Sequence, residues 1–407
     1  AYPHPEYEFS LLGNDFVPTS LSIKDVSSLN LYNWSDREIS KLAPSLWQNY
    51  YNVIAQCDAL LERMDNVKTS STEEQNEKQT ITAEAKTLKA LCYFQLLKVF
   101  APAYDLNPDA PGVILKTHLG IEDKQRSSIR DCVSTIRGLL SDAAQMDGTS
   151  RNNGWLSKTA VLYLQADVAL YSGDYETAIT SGNAVIAKAN DAYFTSEGIS
   201  NLWAKDSYAG RIFAFNTNST YYSNIQFSIQ EGDYFCVNPK LNVGTSDLRY
   251  TSFTYPFVMN GTVRTLLGKY NRCNKLNQTT AYINTMRYAG AYYIVAEAYC
   301  RKGETEAARV LINHYWHCIG VSEAPAGITN QALLELILTD KQREFVGEGV
   351  NFFDLKRTHL ASLPRYSQWG TSASSSISST DYRWNFPIPV SEYRFNSVEQ
   401  NAGWPSN

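Results

Sequence analysis

The sequence has no excess of positive charge. Its 36 Lys and Arg residues are outnumbered by 41 Asp and Glu residues, which gives a net charge of −5 over 407 residues. Only 19% of the residues are charged, and no long run carries a single sign. Because a nucleic-acid backbone is bound by clustered positive charge, the composition argues against nucleic-acid binding, and we expect no nucleic-acid partner.

Long hydrophobic runs are also missing. A transmembrane helix needs about 20 consecutive, mostly apolar residues, and no segment approaches this length. We therefore predict no membrane-spanning helix. The chain begins at Ala1 rather than at a methionine, so we expect that a leader has been removed, and its absence does not indicate a cytoplasmic location.

Cysteines are few and dispersed. There are seven, and none belongs to a C-x-x-C pair. An odd set of cysteines, most of them in apolar stretches, is typical of small core residues and not of a disulfide framework. We expect these cysteines to be unpaired.

Recognisable catalytic motifs are absent. The sequence contains neither a G-x-S-x-G elbow nor an H-E-x-x-H zinc motif. His314 and His317 have a helical spacing that could face one metal ion, but only Cys318 adds a further ligand type nearby, so we expect helix packing there and no metal or cofactor. The neighbours Asp247–Arg249 and Asp381–Arg383 are typical of ion pairs. We predict no catalytic residues and no enzymatic activity.

Apolar residues recur at helical spacing along much of the chain. We predict a mainly α fold, a tetratricopeptide-like scaffold of helical hairpins with an irregular, partly β insert. Strand-like patches occur at Ile212–Phe215 and Ile225–Ile229, whereas residues 1–36 and the Ser-rich segment 371–380 show no regular pattern. The predicted single domain over 1–407 comprises a helical-hairpin half (37–188), the irregular insert (190–285), a helical hairpin and long helix (286–350), and a loop with an extended C-terminal tail (351–407). The last long helix is predicted over roughly 331–348.

Two segments repeat the same spacing of small residues. The copies are Ala166, Gly173 and Ala178, and Ala296, Gly303 and Ala308, and an acidic residue follows each glycine. Small alanines let two antiparallel helices approach, and a glycine supplies the tight turn between them. This pattern is similar to the tetratricopeptide repeat. Because such units do not close a core singly, we expect the two earlier helices to pair as further members.

Tyrosine is unusually frequent, with 27 Tyr against 16 Phe. Tyr and Trp suit surfaces at which one edge of the ring stays wet, and such rings can stack on the C–H faces of sugars. The candidate ligand-binding residues in predicted loops are Tyr32, Asn33, Trp34, Trp203, Tyr208, Tyr221, Tyr222, Tyr234 and Trp369. The alternative for each ring is packing over the small core of the insert.

Ordered sequence blocks resemble the SusD/RagB family. The blocks are Trp47–Asp58, Ala83–Phe94, Met286–Tyr299, Arg343–Gly349, Phe353–Arg357 and Phe386–Trp404. Three positions depart from the family: Asn351 stands where Arg is usual, Asp340–Lys341 replaces a Glu–Arg pair, and Gly210 or Arg211 replaces an acidic residue. The first two departures are expected to weaken a structural ion network.

The resemblance implies a surface-exposed lipoprotein of the outer membrane. Such a protein captures an oligosaccharide, without transforming it, for import through a partner TonB-dependent transporter that is SusC-like. The lipid is attached to an N-terminal cysteine that this sequence does not contain, and we expect that the anchor has been removed. The family's ligand arc commonly includes a ring from the segment before the first long helix, which favours Tyr32 and Trp34.

Other functions stay open. A peptide-binding member of the same family and a tetratricopeptide-type adaptor are alternatives, and a glycosidase needs two carboxyl groups that a sequence cannot place. The charged block Glu344, Glu348, Asp354, Lys356 and Arg357 is predicted to pair structurally and not to contact a ligand. Phe386 and Ile388 of the tail are predicted to fill an apolar groove.

Overall fold

The computed structural model describes residues 2–120, 122–145, 154–205, 207–216, 234–259, 261–270, 282–359, 362–367, 372–394 and 396–405. Within these ranges the protein is mainly helical with small β-sheets, which confirms the predicted fold class. The helices are α1 (Glu6–Leu12), α2 (Val26–Tyr32), α3 (Asp36–Met64), α4 (Thr72–Phe100), α5 (Ile129–Ala144), α6 (Lys158–Tyr171), α7 (Tyr175–Ile186), α8 (Ser196–Ala204), α9 (Arg249–Ser252), α10 (Tyr288–Arg301), α11 (Thr305–Cys318), α12 (Asn330–Glu344) and α13 (Asn351–Thr358).

The long helices form a continuous stack. From α3 to α7 each helix packs against the next, α7 then packs against α10, and α10 packs against α11 and α12. Leu46, Tyr50 and Ile54 recur at helical spacing on one face of α3 and are buried in this stack. Successive hairpins thus bury one shared core, as repeat units do.

The two predicted repeat copies are the hairpins α6–α7 and α10–α11. Their four alanines are all 0% exposed, and the turn residues Gly173 and Gly303 have φ angles of 77° and 80°. Glycine suits these turns because it adopts positive φ without a steric penalty. A Cβ atom on Gly182 of α7 would lie 2.3 Å from Cγ2 of Val295, so α7 and α10 approach closely.

In the described ranges, four two-stranded antiparallel sheets accompany the helices. The strands are β1 (Phe16–Pro18), β2 (Arg211–Asn216), β3 (Phe235–Val237), β4 (Thr254–Met259), β5 (Thr262–Leu267), β6 (Tyr282–Arg287), β7 (Ser362–Tyr366) and β8 (Ala373–Ser378). The pairs are β1–β3, β2–β6, β4–β5 and β7–β8. Strand β2 contains the predicted patch at 212–215, whereas the patch at 225–229 lies outside the described residues.

Three local predictions were wrong. Residues 1–36 contain α1, which buries Phe9 and Leu11, and α2, which buries Leu31. The Ser-rich segment contains β8, because its backbone pairs with β7 and Ile377 is buried opposite Leu363. The last long helix, predicted to reach Glu348, ends at Glu344.

The C-terminal tail packs as predicted. Phe386 and Ile388 are 0% and 1% exposed. The backbone N–H of Phe386 donates to the carbonyl oxygen of Val99 at 3.1 Å, and its ring lies 5.8 Å from that of Phe9. The tail therefore joins α4 to the N-terminal segment.

The described cysteines are free, and five of these six are buried, as expected for core residues; Cys273 lies outside the described residues. In the part of the chain that the structure describes, no helix combines the length and the apolar character needed to cross a membrane.

Candidate functional site

The rings at the end of α2 lie in the core. Tyr32 and Trp34 are both 0% exposed, and the Trp34 indole N–H donates to the carbonyl oxygen of Leu12 at 3.2 Å. The Trp34 ring meets Trp384 edge-on at 4.5 Å. Asn33 between them is exposed. The structure therefore corrects the prediction for Tyr32 and Trp34: these rings pack and offer no face to a ligand.

Trp203 needs the same correction. It is 0% exposed, and its ring lies 5.2 Å from Tyr270 and beneath the cation of Lys269. Tyr208 is half-buried, with its ring 5.8 Å from that of Tyr193. Packing inside the insert, and not solvent, surrounds Trp203.

Tyr234 is half-buried directly before β3. Its carbonyl oxygen accepts the backbone N–H of Thr19 at 2.9 Å, which ties the insert to the N-terminal segment. The candidates Tyr221, Tyr222 and Trp369 lie outside the described residues.

Three regions that carry candidate residues, namely the segment before α3, the insert and the late loop, partly converge. The Tyr32 ring lies 6.0 Å from the ring of Phe235, the neighbour of Tyr234. The Tyr32 hydroxyl accepts the backbone N–H of Tyr366 at 2.9 Å. The segment before α3, the insert and the late loop therefore meet around Tyr32, which serves as their packed centre.

An aromatic patch lies next to this junction. We define the aromatic patch as Tyr255 and Phe257 on β4, Tyr366 on β7, and Lys240. Tyr255 and Phe257 are half-buried and pack on the cluster that contains Tyr366, and the Lys240 ammonium lies 5.3 Å from the centre of the Tyr366 ring. Rings with one packed side and one wet edge can stack on a sugar, and an ammonium can donate to its hydroxyls.

The sequence prediction missed Tyr255 and Phe257. Their alternation with Thr254, Pro256 and Val258 is typical of a strand with two unlike faces. That alternation was the available signal. It does not indicate which other strands supply the rest of the patch.

The charged block after α12 forms a buried ion network, as predicted. Arg287 pairs with Glu344 at 2.7 Å and with Glu348 at 2.9 Å. Lys269 pairs with Glu348 at 2.7 Å, and Arg249 bridges to Glu344 at 3.5 Å. Burial raises the pKa of the Glu344 carboxyl, but the charges of Arg287 and Arg249 outweigh it and hold the pKa below its usual range.

A second group of ion pairs ties α13 to α10. The Arg357 guanidinium donates to both oxygens of Glu297 at 2.6 Å and also pairs with Asp354. Lys341 binds Asp354 at 2.9 Å. Burial raises the pKa of Asp354, but the charges of Lys341 and Arg357 outweigh this effect and lower the pKa to about 2. These carboxylates are held ionised by their partners.

The residues that depart from the family pattern all have partners, and Asp340 stays within the buried ion network. Asp340 accepts from Arg249 at 2.6 Å and from the Tyr293 hydroxyl at 2.6 Å. Asn351 donates to the carbonyl oxygen of Gly13 at 2.6 Å. Arg211 donates to the carbonyl oxygen of Leu202 at the end of α8. The contacts of the ion network therefore do not show the expected weakening, because the residues present at these positions form ion pairs and hydrogen bonds of their own.

A cavity of about 160 Å³ lies between the N-terminal segment and helices α4, α6 and α13. Its volume is below the roughly 300–1,000 Å³ typical of ligand pockets. The charged residues in its lining are Lys98, Lys341, Lys356, Arg357, Glu6, Asp167, Glu348 and Asp354. Burial lowers the pKa of Lys356, whose ammonium donates to the carbonyl oxygen of Lys98 at 2.7 Å. Its balanced charges and small size make it part of the scaffold and not the candidate glycan site.

The neighbouring residues Asp247 and Arg249, and likewise Asp381 and Arg383, form ion pairs, as their sequence spacing indicated. Arg249 binds Asp247 at 2.8 Å in the buried network. Arg383 binds Asp381 at 2.6 Å and donates to the carbonyl oxygen of Trp34 at 2.7 Å. In both pairs the aspartate also accepts the backbone N–H of its arginine partner, which holds the local backbone in place.

Comparisons with known families and structures agree with this architecture. The model of the SusD family matches residues 141–404, which is well over half of the chain. A second family model, described as starch-binding and associating with the outer membrane, matches residues 3–150. No curated protein sequence matches the chain.

Solved structures share the fold along nearly the whole chain. A SusD superfamily protein from Bacteroides vulgatus is similar with a TM-score of 0.80 at 19% identity, over 100% of this chain and 95% of that chain. A SusD-like carbohydrate binding protein from the same organism has a TM-score of 0.76 at 19% identity, over 96% and 90%. A SusD superfamily protein from Bacteroides thetaiotaomicron has a TM-score of 0.74 at 22% identity, over 87% and 84%. With its helical-repeat stack, its buried ion network and a family model matched over most of its length, this chain belongs to the SusD family.

Proposed function

We propose that this protein captures an oligosaccharide, without catalysis, for import by a partner SusC-like TonB-dependent transporter. It acts at the cell surface as an outer-membrane lipoprotein. The observation that carries the proposal is the match of the SusD family model over residues 141–404. The description of the second matching model, starch-binding and associating with the outer membrane, supports both the ligand class and the location.

The aromatic patch is the proposed glycan surface. Tyr255 and Phe257 present half-buried rings, and the Lys240 ammonium lies over Tyr366, a member of the cluster on which these two rings pack. Among the sequence candidates, half-buried Tyr234 and exposed Asn33 adjoin this junction. Tyr208, Tyr221, Tyr222 and Trp369 remain proposed contacts.

Capture without turnover is consistent with the charged groups of the protein. The carboxylates of Glu344, Glu348 and Asp354 are committed to arginine and lysine partners. Glycoside hydrolysis needs two carboxyl groups about 5–10 Å apart across the sugar, one of them protonated. Core carboxylates that are paired with basic side chains, such as Glu344 and Asp354 with their lowered pKa values, do not supply the protonated group.

The helical stack is the proposed docking face for the transporter. Stacked helix pairs give an extended surface on which each repeat contributes side chains. The aromatic patch is built instead from strands outside the stack, so one molecule can hold a glycan and a transporter at the same time. Modest glycan affinity then allows release into the transporter.

A binding screen tests the proposal. The protein is applied to a panel of glycans and peptides, and hits are measured by calorimetry with Tyr255→Ala and Tyr234→Ala variants. We expect a glycan hit and at least about tenfold weaker binding by Tyr255→Ala, which corresponds to about 1.4 kcal/mol. Tyr175→Ala is the matched control, because Tyr175 is also half-buried but lies on α7 of the stack.

Three results would contradict the proposal. Binding to peptides alone would identify a peptide-binding member of the family. New reducing ends after incubation with the glycans would identify a glycosidase. Glycan binding that falls equally in Tyr255→Ala and Tyr175→Ala would remove the aromatic patch from the site.

A further inference from the structure

We propose that Asp191, His314 and Cys318 bind a zinc ion. His314 and Cys318 lie four residues apart near the end of α11, so they share one face of that helix. Asp191 begins the 3-10 turn Asp191–Phe194, which follows the first repeat hairpin. The site therefore joins the two repeat hairpins across a large separation in sequence.

The three donor atoms are close enough to share one ion. All of them lie within 4.8 Å of one another, and the Nε2 atom of His314 is 3.1 Å from Oδ1 of Asp191. Tetrahedral zinc with bonds of about 2.0–2.3 Å requires donor separations of about 3.3–3.8 Å. The donors, all within 4.8 Å of one another, are therefore at most about 1.5 Å further apart than such an ion requires.

The segments that carry the donors are anchored. Phe194, in the same turn as Asp191, is 5% exposed. Its ring packs edge-on against Tyr315 at 5.0 Å and against Tyr292 at 5.7 Å. The Tyr292 ring also stacks on His314 at 6.1 Å, with an interplanar angle of 25°. Buried aromatic contacts thus hold the turn against α10 and α11, which limits the reorganisation that metal binding requires.

The donor set favours zinc over magnesium or calcium. Imidazole nitrogen and thiolate sulfur suit zinc, whereas magnesium and calcium prefer oxygen ligands alone. A thiolate and a carboxylate together balance the two positive charges of the ion. Burial, together with the charge of Asp191, raises the pKa of the Cys318 thiol, so the proton of the thiol must leave when zinc binds.

One coordination position would remain open. The side chains of Asp191 and His314 are 66% and 52% exposed, so solvent reaches the metal from outside. Three protein ligands plus water is the arrangement of zinc sites that keep an exchangeable position. Without metal, the same residues form a surface His–Asp pair, which is the alternative that an experiment must exclude.

Zinc titration of the metal-free protein tests the site. We expect one zinc ion per chain, measured by competition with a chromophoric chelator, and at least about tenfold weaker binding by His314→Ala. His317→Ala is the matched control: His317 lies on the same helix, is 81% exposed and faces Glu323 at 3.8 Å. Cobalt(II) should give a thiolate-to-metal charge-transfer band that Cys318→Ser loses and His317→Ala keeps.

The proposal fails if the wild-type protein binds no zinc, or if His314→Ala and wild type bind equally. It also fails if His317→Ala abolishes binding, since the donors would then be His317 and Glu323. Because Asp191 and His314 are exposed, Asp191→Asn and His314→Ala should fold normally by circular dichroism. These two variants keep the test decisive if Cys318→Ser is unstable. The outcome is independent of glycan binding.

Discussion

The hairpins α6–α7 and α10–α11 share a scaffold but differ in what their remaining positions do. Both bury two alanines at equivalent positions and turn at a glycine with positive φ. In the second hairpin, however, Glu297 and Tyr293 of α10 enter the ion network with α12 and α13. The comparison teaches that small residues define the repeat, whereas the other positions decide what each copy binds.

Equivalent acidic positions illustrate the difference. Glu297 and Asp167 each follow the first alanine of their copy. Glu297 is 0% exposed and is held by Arg357 at 2.6 Å, whereas Asp167 is half-buried beside the small cavity. Glu297 thus links α10 to α13 through an ion pair, whereas Asp167 lines a cavity.

The largest expected effect on stability comes from removing the charge at these two equivalent positions, Glu297 and Asp167. Glu297→Gln should lower the free energy of unfolding by about 3 kcal/mol or more, because it leaves part of the charge on buried Arg357 uncompensated. Asp167→Asn, the equivalent change in the first hairpin, should cost less than about 1 kcal/mol. Urea unfolding followed by circular dichroism measures both. Equal losses would mean that the two positions are energetically alike.

A second test concerns the shared turns. Gly173→Ala and Gly303→Ala should each cost about 1–2 kcal/mol, because an L-residue is strained at positive φ. A Cβ atom at either position would meet nothing within 4 Å, so strain is the only cost and the two values should agree. Thermal unfolding of both variants checks this, and a clear difference would show that the turns are not equivalent.

The smallest expected effect on stability concerns Asp174 and Glu304, the acidic residues that follow the two turn glycines. Asp174 accepts the backbone N–H of Thr177 at 3.2 Å, whereas Glu304 makes no capping hydrogen bond. Asp174→Ala should cost about 1 kcal/mol, and Glu304→Ala less than about 0.5 kcal/mol. Denaturant unfolding midpoints of the two variants measure the difference.

The Asp174 effect should also depend on pH. Burial raises the pKa of Asp174, but the cap with Thr177 and the Arg137 guanidinium outweigh it and lower the pKa overall. Its stabilisation is therefore present above the ordinary aspartate pKa of about 4 and is lost as the pH falls through the lowered value. The stability gap between wild type and Asp174→Ala should shrink in acid. A constant gap from neutral pH to about pH 2 would argue against the cap as its source.

Local patterns predicted the parts of this protein that depend on neighbours in sequence. The spacing of Ala166, Gly173 and Ala178 predicted a hairpin, because helix contacts recur every three to four residues. The charged block around Glu344 was predicted to pair, but its partners Arg249 and Lys269 lie far away in the insert, and Arg287 lies just after it. Sequence could not identify them, since pairing depends on how the insert folds back on α12.

Aromatic exposure was predicted least well. Trp34 and Trp203 read as loop residues, yet both are 0% exposed. Whether a ring is buried depends on what packs over it, and for Trp34 this is Trp384, 350 positions further along the chain.

The sequence by itself determined the repeat unit, the family blocks and the absence of recognised catalytic motifs, because each of these is a matter of local spacing and residue type. Only the tertiary structure decided which aromatic residues reach the surface and which distant donors meet. Asp191 and His314 are separated by 123 residues and come within 3.1 Å, since the turn after α7 packs against α10 and α11 through Phe194. Contacts of this kind follow from packing between elements, and periodicity along the chain does not encode them.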